Sequence, residues 1–213
     1  AASCTDSVVI HGESGVGKEL VARAIHDTSQ RKKAPFLPVN CGAISESLLE
    51  NEFFGHVKGA FTGAYNDKKG FLSHVQGGTL FLDEVGELSL NMQVKLLRAI
   101  EGGGYSPVGS NEVLYSDFRI VAASNRNLWE EVKKGRVRSD FFYRLYVIPV
   151  DIPPLRERKE DLALLADYFF SQMDSPRQFD TLPGKDIKKL YNYRWPGNVR
   201  ELQNVLRRYV ALN

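Results

Sequence analysis

The sequence predicts an α/β domain with a parallel sheet flanked by helices, followed by a small all-α region. Short β-rich apolar runs alternate with stretches of helical periodicity as far as residue 152, an order typical of parallel strands joined by helices. The pair Pro153-Pro154 interrupts this order, because neither a helix interior nor a central strand accommodates two prolines. We therefore predict that residues 1–153 form the α/β domain and residues 154–213 the helical one.

The predicted elements follow one another regularly. β-rich runs predict strands at residues 8–10, 36–39, 79–82, 119–123 and 146–152. Helical spacing of apolar residues predicts the intervening helices at residues 20–26, 45–54, 91–100 and 128–134. Beyond the prolines, a helix is predicted at residues 162–170, then a polar stretch at 174–184, then helices around residue 190 and at residues 202–210.

The composition limits the classes of function. The chain has 213 residues, and its 28 Lys and Arg against 26 Asp and Glu leave a net charge of +2, which does not favour nucleic acid or an anionic membrane as the main partner. Cys4 and Cys41 lack the spacing of a zinc site or a disulfide framework. No apolar run approaches a membrane span, and the N-terminus lacks a signal-peptide pattern. These features predict a soluble, cytoplasmic protein.

A glycine-rich loop between the first strand and the first helix predicts a phosphate site. The stretch "VVIHGESGVGKEL" places Gly12, Gly15 and Gly17 after a β-rich run and Lys18 at the start of a helical pattern. Glycines let backbone N–H groups turn toward phosphate oxygens, the helix N-terminus adds partial positive charge, and the lysine reaches the terminal phosphates. Glu19 stands where a Ser or Thr hydroxyl usually contacts Mg²⁺, so the metal needs another protein ligand. A chance glycine turn beside a surface lysine is the alternative.

Two adjacent carboxylates at the end of another predicted strand supply that ligand. In "GGTLFLDEVGEL", Asp83 and Glu84 follow a strand of the buried type, at the edge of the sheet where ligands collect. The first suits metal ligation and the second the orientation of an attacking water, although either could instead cap the next turn. Polar residues that end two further strands could also contact phosphate or water, but each is an ordinary loop start as well: Asn40, Ser124 and Asn125.

The stretch "HVKGAFTGAY", residues 56–65, is unusual for a folded domain. It sets Phe61 and Thr62 among glycines and alanines, where neither helix nor strand is specified. An exposed aromatic ring offers a partner a large rigid contact, and Gly59 and Gly63 allow the tip to change direction. A mobile surface loop without a partner is the alternative, since exposed apolar residues are common.

These stretches together resemble one family. "GESGVGKE", "GAFTGA", "GGTLFLDEVGEL", "FFYRL", "PPLRER" and "WPGNVREL" are similar, in this order, to the signatures of the AAA+ central domain of bacterial sigma-54-dependent transcriptional activators, the enhancer-binding proteins. The resemblance runs from Val8 to about Tyr209. It implies an AAA+ P-loop NTPase fold, with the parallel sheet sandwiched by helices and a small C-terminal α-helical lid, and it implies ATP and Mg²⁺ as cofactors.

The resemblance also implies roles for single residues. Asp83 is similar to the Walker B aspartate that holds Mg²⁺, Glu84 to the glutamate that polarises the nucleophilic water, and Asn40 to the residue that pairs with that glutamate and restrains it. Asn125 corresponds to sensor I, and Arg200 corresponds to sensor II, which reaches the nucleotide from the lid. The segment similar to the ATP-binding Walker A motif consists of Gly12, Glu13, Ser14, Gly15, Val16, Gly17, Lys18 and Glu19.

The segment "RVRSDFFYRL" resembles the one that carries arginine fingers, at Arg138 and Arg144. A guanidinium group from a neighbouring subunit neutralises charge on the transferring phosphoryl group, so hydrolysis then depends on assembly. The resemblance accordingly implies a homo-oligomer, usually a hexameric ring. Both arginines could instead lie on a solvated helix face or pair with Asp140.

The resemblance gives the glycine-flanked loop a partner, because in the family this loop touches the sigma-54 factor bound to RNA polymerase. Val57 departs from the family pattern, in which glutamate is usual before the tip, and a second loop expected near residues 102–116 is unusually rich in glycine. For the second loop the resemblance therefore gives a location but no contacts. The residues implied in partner contact are Gly59, Ala60, Phe61, Thr62, Gly63 and Ala64.

The resulting prediction is an ATPase and transcription activator domain that remodels the closed complex of sigma-54 RNA polymerase to open promoter DNA. Two other classes stay open: a monomeric kinase, which needs an acceptor pocket and no neighbour's arginine, and a DNA-binding module, which the balanced charge disfavours. The chain begins just before its first strand and stops after its last helical pattern. We therefore expect a sensory domain and a DNA-binding helix-turn-helix domain to lie outside this sequence.

Overall fold

The structure is a computed structural model that describes residues 4–43, 45–173 and 177–212. Within these residues the chain divides into two compact units. The first, here the sheet unit, comes from residues 1–11 and 19–150, and the second, the lid unit, from residues 12–18 and 151–213. The glycine-rich loop thus groups with the C-terminal helices. The division predicted at residue 153 stays a prediction.

The sheet unit and the lid unit contain the following elements. The strands in the described residues are β1 (Val8–His11), β2 (Phe36–Asn40), β3 (Gly55–His56), β4 (Lys68–Lys69), β5 (Thr79–Asp83), β6 (Arg119–Ser124) and β7 (Ile148–Asp151). The α-helices are α1 (Lys18–Asp27), α2 (Glu46–Phe54), α3 (Phe71–His74), α4 (Leu90–Ile100), α5 (Leu128–Lys133), α6 (Ser139–Leu145), α7 (Asp161–Gln172), α8 (Gly184–Asn192) and α9 (Asn198–Leu212). None of the helices described is long and apolar enough to cross a membrane.

The main sheet has the predicted parallel α/β character. Its strand order over the described residues is β2-β5-β6-β1-β7, and β2, β5, β6 and β1 pair in parallel. Every residue of β6, the middle strand, is buried, because helices joining parallel strands cover both faces. Since the strands run the same way, their carboxyl ends meet at one edge. This edge positions the polar residues that follow β2, β5 and β6.

Helix α4 packs one face on the core of the sheet unit. Its first turn is capped by Ser89, whose Oγ accepts the Met92 N–H at 3.3 Å. The buried face combines apolar residues with one amide, Gln93, which is fully buried. A buried amide needs hydrogen-bond partners, so Gln93 indicates a specific polar contact inside the core.

The seventh strand is shorter than predicted, because helix α6 extends to Leu145 and a turn at Tyr146 and Val147 separates it from the strand. Tyr146 ends that helix, and its N–H donates to the Phe142 carbonyl at 2.8 Å. Helix α6 buries Phe141, Phe142 and Leu145, a helical spacing that the aromatic run "DFFYRL" obscures in the sequence. Helix α3 and the two-residue strands β3 and β4 were also not predicted, since such short elements carry no periodicity.

The lid unit has its own hydrophobic core, built mainly from α7 and α9. Its largest buried side chain is Trp195, whose Nε1 donates to the Leu190 carbonyl at 2.9 Å. Trp195 therefore shapes the turn before α9. Phe179 and Leu182 are buried as well, so the stretch predicted as polar contributes to this core, and residues 174–176 of that stretch lie outside the described residues.

Candidate active site

In the sheet unit, the predicted polar residues collect at the carboxyl ends of the strands. Asn40 and Asp83 are the last residues of β2 and β5 and are partners in the strand register. The Cys41 N–H continues this ladder by donating to the Asp83 carbonyl at 2.9 Å. Ser124 ends β6 opposite His11 of β1. The structure therefore brings Asn40 directly beside the acidic pair.

The acidic pair makes a sharp turn out of strand β5. The backbone of Glu84 is left-handed, with φ 56° and ψ 43°, a conformation that is unfavourable for a residue with a side chain. The Glu84 N–H donates to Asp83 Oδ1 at 3.0 Å, and this hydrogen bond offsets part of the cost of the left-handed backbone. The two carboxylates thereby leave the strand direction at its end, and both residues are partly exposed.

Glu84 lies against the loop that follows β2. A Cβ added to Gly42 would stand 2.5 Å from Glu84 Oε2, so the carboxylate occupies the space beside this glycine. Asn40 Oδ1 accepts the Gly42 N–H at 2.9 Å, and among the described residues no hydrogen bond joins Asn40 to Glu84 itself. The restraint of Glu84 by Asn40 stays a prediction, while Gly42 is a neighbour that the sequence did not indicate.

Replacing Gly42 with alanine is expected to lower ATP turnover about tenfold or more, because the new methyl group displaces the Glu84 carboxylate. Gly42 has no left-handed φ, and a flexible side chain can yield, so thermal stability and ATP binding are expected to stay unchanged. Steady-state kinetics and thermal melting check this. The control is Gly184→Ala, where no atom lies within 4 Å of the added Cβ. Unchanged turnover in Gly42→Ala would contradict the placement of Glu84.

The acidic pair contributes to a raised pKa of the neighbouring Cys41 thiol. Burial raises the pKa of its thiol to about 12, and the nearby Asp83 and Glu84 carboxylates add to that rise. Cys41 is a free, buried cysteine. A thiol with a raised pKa is a poor nucleophile, so Cys41 is a packing residue.

The two sensor-type residues after β6 differ in environment. Ser124 is buried, and its Oγ donates to the Arg126 carbonyl at 2.8 Å and accepts the Arg126 N–H at 3.0 Å. Its hydroxyl thus shapes the turn. Asn125 is exposed, which leaves its side chain accessible to a ligand.

The acidic pair fits a magnesium ion better than a metal with an all-protein ligand cage. Among the described residues, no group of three or more His, Cys, Asp or Glu side chains could hold a metal. Mg²⁺ keeps several waters and is usually held by one or two carboxylates together with substrate phosphates. Asp83, a single hard oxygen ligand at the end of a strand, matches this type of coordination.

In the lid unit, the glycine-rich loop has the backbone that a phosphate loop requires. Gly15 and Gly17 have φ of +78° and +102°, values that side chains disfavour. Lys18 Nζ donates to the carbonyls of Gly12 and Glu13, at 3.0 and 3.1 Å. The ammonium group therefore lies over the loop, and Glu19, the next residue, is exposed.

Residues of the C-terminal region hold this loop through hydrogen bonds to its acidic side chain and to its backbone carbonyl groups. Arg156 makes a bidentate pair with Glu13, at 2.9 and 2.6 Å, and Asn198 Nδ2 donates to Glu13 Oε2 at 3.1 Å. Arg200 Nη1 donates to Ser14 Oγ at 3.3 Å. We refer to Glu13, Arg156 and Asn198 as the clasp.

Close backbone approach accompanies the clasp. A Cβ on Gly15 would stand 2.5 Å from the Gly197 carbonyl oxygen, so only glycine fits at this point. The Arg200 N–H donates to the Gly15 carbonyl at 3.2 Å, and Arg158 Nη2 donates to the Val16 carbonyl at 2.9 Å. Arg200 thus reaches the loop, and its contact with a nucleotide stays a prediction. Arg158 belongs to a quoted motif, "PPLRER", for which no role was predicted.

The clasp is expected to weaken in acid. Hydrogen bonds from Arg156, and then from Asn198, lower the pKa of Glu13 from 4.5 to about 2. A carboxyl with a lowered folded-state pKa stabilises the fold above its ordinary pKa and loses this contribution as the pH falls toward the folded value. Between about pH 5 and about pH 2, the stability of the parent should therefore fall more steeply than that of Glu13→Gln. Denaturant titrations of both proteins across this range check it, and equal slopes would contradict the clasp.

The two predicted arginine fingers are exposed, one just before helix α6 and the other in its last turn. Arg138 precedes the first residue of α6 and makes a bidentate ion pair with Asp140, at 3.0 and 2.7 Å. Arg144 Nη2 donates to the Ile100 carbonyl at 3.1 Å. The alternative that the sequence left open for Arg138, a pair with Asp140, is therefore what this chain shows by itself.

The glycine-flanked loop is folded against its own base. Gly59 and Gly63 have φ of +84° and +102°, and the Gly59 N–H donates to the Ala64 carbonyl at 2.8 Å. Phe61 is 44% exposed and its ring meets the ring of His56 edge-on, with centroids 5.0 Å apart. Thr62 is exposed. The aromatic tip is accessible, as predicted, but it rests on a neighbour.

The base of this loop is held by hydrogen bonds that do not involve the side chain of Val57. The Val57 N–H donates to the Val108 carbonyl at 3.1 Å, and the Lys58 N–H donates to Asp67 Oδ1 at 2.7 Å. Val108, in turn, belongs to the second loop and donates its N–H to the Gly55 carbonyl at 2.9 Å. The second loop therefore contacts the first through its backbone.

Comparisons with known proteins agree with this architecture. The family model "Sigma-54 interaction domain" matches residues 1–151, and the model "AAA+ ATPase lid domain" matches residues 156–213. The chain is 51% identical to regulatory protein LuxO of Vibrio parahaemolyticus, 51% identical to transcriptional regulatory protein ZraR of Klebsiella oxytoca and 50% identical to the DNA-binding transcriptional regulator NtrC of Azospirillum brasilense. These alignments cover 100%, 97% and 97% of this chain. They cover 48%, 47% and 43% of the relatives, so the chain spans about half the length of the curated relatives it matches.

Solved structures show the same fold. NtrX from Brucella abortus in complex with ADP superposes with a TM-score of 0.91 at 35% identity, over 100% of this chain and 47% of that chain. The complex of NtrX with ATP gives 0.89 at 35% identity, over 99% of this chain and 48% of that chain. Because the family model covers more than half of its length, the chain belongs to the sigma-54 interaction domain family and has the AAA+ P-loop NTPase fold, with an AAA+ lid domain at its C-terminus.

Proposed function

We propose that this chain is a Mg²⁺-dependent ATPase domain that works in a ring, in this family usually a hexamer, and remodels the closed complex of sigma-54 RNA polymerase to open promoter DNA. The observation that carries the proposal is the acidic pair Asp83-Glu84, turned out of a buried strand beside Asn40, in a chain of the sigma-54 interaction domain family. The ADP and ATP complexes of NtrX support ATP as the ligand.

The glycine-rich loop is proposed to bind the phosphates of ATP. Its left-handed glycines turn backbone N–H groups toward a phosphate, and Lys18 supplies the positive charge. Arg200 would read the nucleotide state, since its guanidinium already contacts Ser14 of this loop. Glu13 and Val16 take part through the lid contacts that hold the loop in shape, and we assign Glu19 to the end of the motif without a contact of its own.

The acidic pair is proposed to divide the chemistry of hydrolysis. Asp83 would hold Mg²⁺, which supplies charge neutralisation on the phosphate oxygens when bound. Glu84 would accept a proton from the attacking water, or orient it, because its carboxylate leaves the end of strand β5 and lies beside Gly42. Asn40 would restrain Glu84 through the turn it makes with Gly42, and the exposed Asn125 would sense the terminal phosphate.

The exposed arginines are proposed to complete the site of a neighbouring subunit. A guanidinium fork stabilises charge on a transferring phosphoryl group, and supplying it from outside makes turnover depend on assembly. Arg138 would exchange its bond with Asp140 for the neighbour's phosphate, an exchange favoured by the exposure of both partners. Arg144, in the last turn of α6, would act together with Arg138.

The loop from Gly59 to Ala64 is proposed to be the surface that meets the sigma-54 factor. Thr62 and the half-exposed ring of Phe61 are its accessible contacts, and the left-handed glycines on either side allow it to move. We propose a cytoplasmic location and assign DNA binding to a helix-turn-helix domain outside this sequence.

The proposal is tested by measuring ATP turnover per subunit across a range of protein concentrations. If neighbouring subunits complete each site, the rate per subunit rises with concentration and Arg138→Ala removes this rise. A monomeric kinase would show a rate per subunit that does not depend on concentration and would pass phosphate to an acceptor. A concentration-independent rate that Arg138→Ala leaves unchanged would overturn the assembly part of the proposal.

A further inference from the structure

The one amide on the buried face of helix α4 joins two parts of the sheet unit. Gln93 is fully buried, and its Nε2 donates to the Leu88 carbonyl at 2.8 Å and to the Arg136 carbonyl at 2.9 Å. Its Oε1 accepts the Arg138 N–H at 2.9 Å. Both N–H bonds and one acceptor site of the amide are therefore used, and every partner is a backbone group.

One of these partners ends the acidic turn. Leu88 follows the short 3-10 turn Val85–Glu87. In this turn the Glu87 N–H donates to the Glu84 carbonyl at 2.9 Å. The other partners, Arg136 and Arg138, lie in the segment that leads into α6. Gln93 thus connects the turn that begins at Glu84 with the segment that presents Arg138.

A second connection between the same two segments lies outside the core. Arg126 pairs with Glu87 at 2.7 Å and approaches Glu131 at 3.7 Å, and Arg136 pairs with Glu131 at 2.5 Å. Arg126 and Arg136 are about half exposed, but the Glu131 side chain that both approach is only 4% exposed, so this network also helps to hold the two segments. The buried amide differs from this network because it bonds directly to the backbone of both segments, including the Arg138 N–H itself.

We propose that Gln93 is a positioning residue for Arg138, so that the arginine offered to a neighbouring subunit keeps a set position relative to its own subunit's Asp83-Glu84 turn. This inference rests on the proposed function of Arg138 as an arginine finger. It predicts that loss of Gln93 damages the neighbour's site, while the acids of its own subunit keep the hydrogen bonds of their turn that do not involve Gln93. A purely structural amide would give a different pattern, because general loosening affects the subunit that carries the mutation.

The experiment mixes two defective forms of the full chain. Gln93→Met keeps the side-chain volume but removes the three hydrogen bonds, and it is expected to lower turnover about 10- to 100-fold by misplacing Arg138. Glu84→Gln is inactive but has an intact Arg138. In an equal mixture, a Gln93→Met subunit that borrows Arg138 from a Glu84→Gln neighbour regains activity, so turnover should recover to about one quarter of the parent rate for random head-to-tail assembly.

The control mixture is Arg138→Ala with Glu84→Gln, at the protein concentration where the parent rate per subunit has reached its plateau. Recovery in both mixtures supports the proposal. Recovery only in the Arg138→Ala mixture overturns the role of Gln93 and leaves the arginine finger standing. No recovery in the Arg138→Ala mixture overturns the finger and, with it, this inference. Val94→Met places the same methionine on the exposed face of α4 and so controls for effects of that side chain alone.

A second variant covers the case in which Gln93→Met does not fold. Gln93→Asn keeps an amide but is one methylene too short to reach both segments, and a water can fill the gap. It is expected to fold and to give the same recovery with Glu84→Gln. Activity of Gln93→Asn at the parent level would overturn the proposal.

Discussion

Replacing Glu84 with glutamine is expected to lower the rate of ATP hydrolysis by about 10²- to 10⁴-fold, the usual contribution of a general base. Glutamine has the same shape but cannot accept the proton of the attacking water. ATP binding is expected to persist, because the glycine-rich loop and Lys18 are unchanged. Steady-state hydrolysis and equilibrium titration with ATP measure the two properties separately.

The matched control is Glu87→Gln, three residues further along the same turn. Glu87 pairs with Arg126 on the surface, and loss of an exposed ion pair changes stability little. Turnover close to that of the parent is therefore expected for the control. Hydrolysis retained by Glu84→Gln would remove Glu84 from the catalytic role, whatever the control shows.

Replacing Thr62 with alanine is expected to abolish the response of the sigma-54 RNA polymerase complex while ATP turnover continues. Thr62 is exposed, and its side chain makes no hydrogen bond within the described residues, so the fold does not depend on it. Its loss removes a contact at the tip of the loop, where a few residues carry most of the binding energy. Binding to purified sigma-54 factor and open-complex formation are measured beside hydrolysis.

Thr5→Ala is the control for this prediction, since Thr5 is also exposed but lies far along the chain from the loop. It is expected to behave as the parent in every assay. If Thr62→Ala loses hydrolysis as well, the loop has a part in assembly or catalysis. If it keeps full sigma-54 activity, the tip is not the contact, and the neighbouring Phe61 becomes the residue to test.

Most of the sheet and the positions of the polar residues at its edge were predictable, because their signals are local. The β-rich runs before Asn40, Asp83 and Ser124 predict strands, and parallel strands bring their carboxyl ends together whatever the side chains are. The boundary of β7 was wrong by two residues, since the aromatic run before it conceals helix α6. Short elements such as β3 had no period to detect.

The contacts that hold the site were not predictable, because they join distant parts of the chain. In the sequence, Gln93 is an ordinary polar residue of an amphipathic helix, and only packing shows that it is buried and bonded to residues more than 40 positions away. Gly42 was equally unremarked, since its importance is the space beside Glu84. Neither a helical period nor a glycine in a loop carries this information.

Contiguous residues determined which candidate site groups this chain carries, because a glycine-rich loop, an acidic pair after a strand and a glycine-flanked aromatic are each complete within about ten residues. The tertiary structure decided how these groups are held. Glu13 is clasped by Arg156, Arg138 rests on Asp140, and Phe61 lies on the ring of His56. The physical reason is that hydrogen bonds, ion pairs and ring contacts depend on distances of a few ångström, which only the folded chain sets.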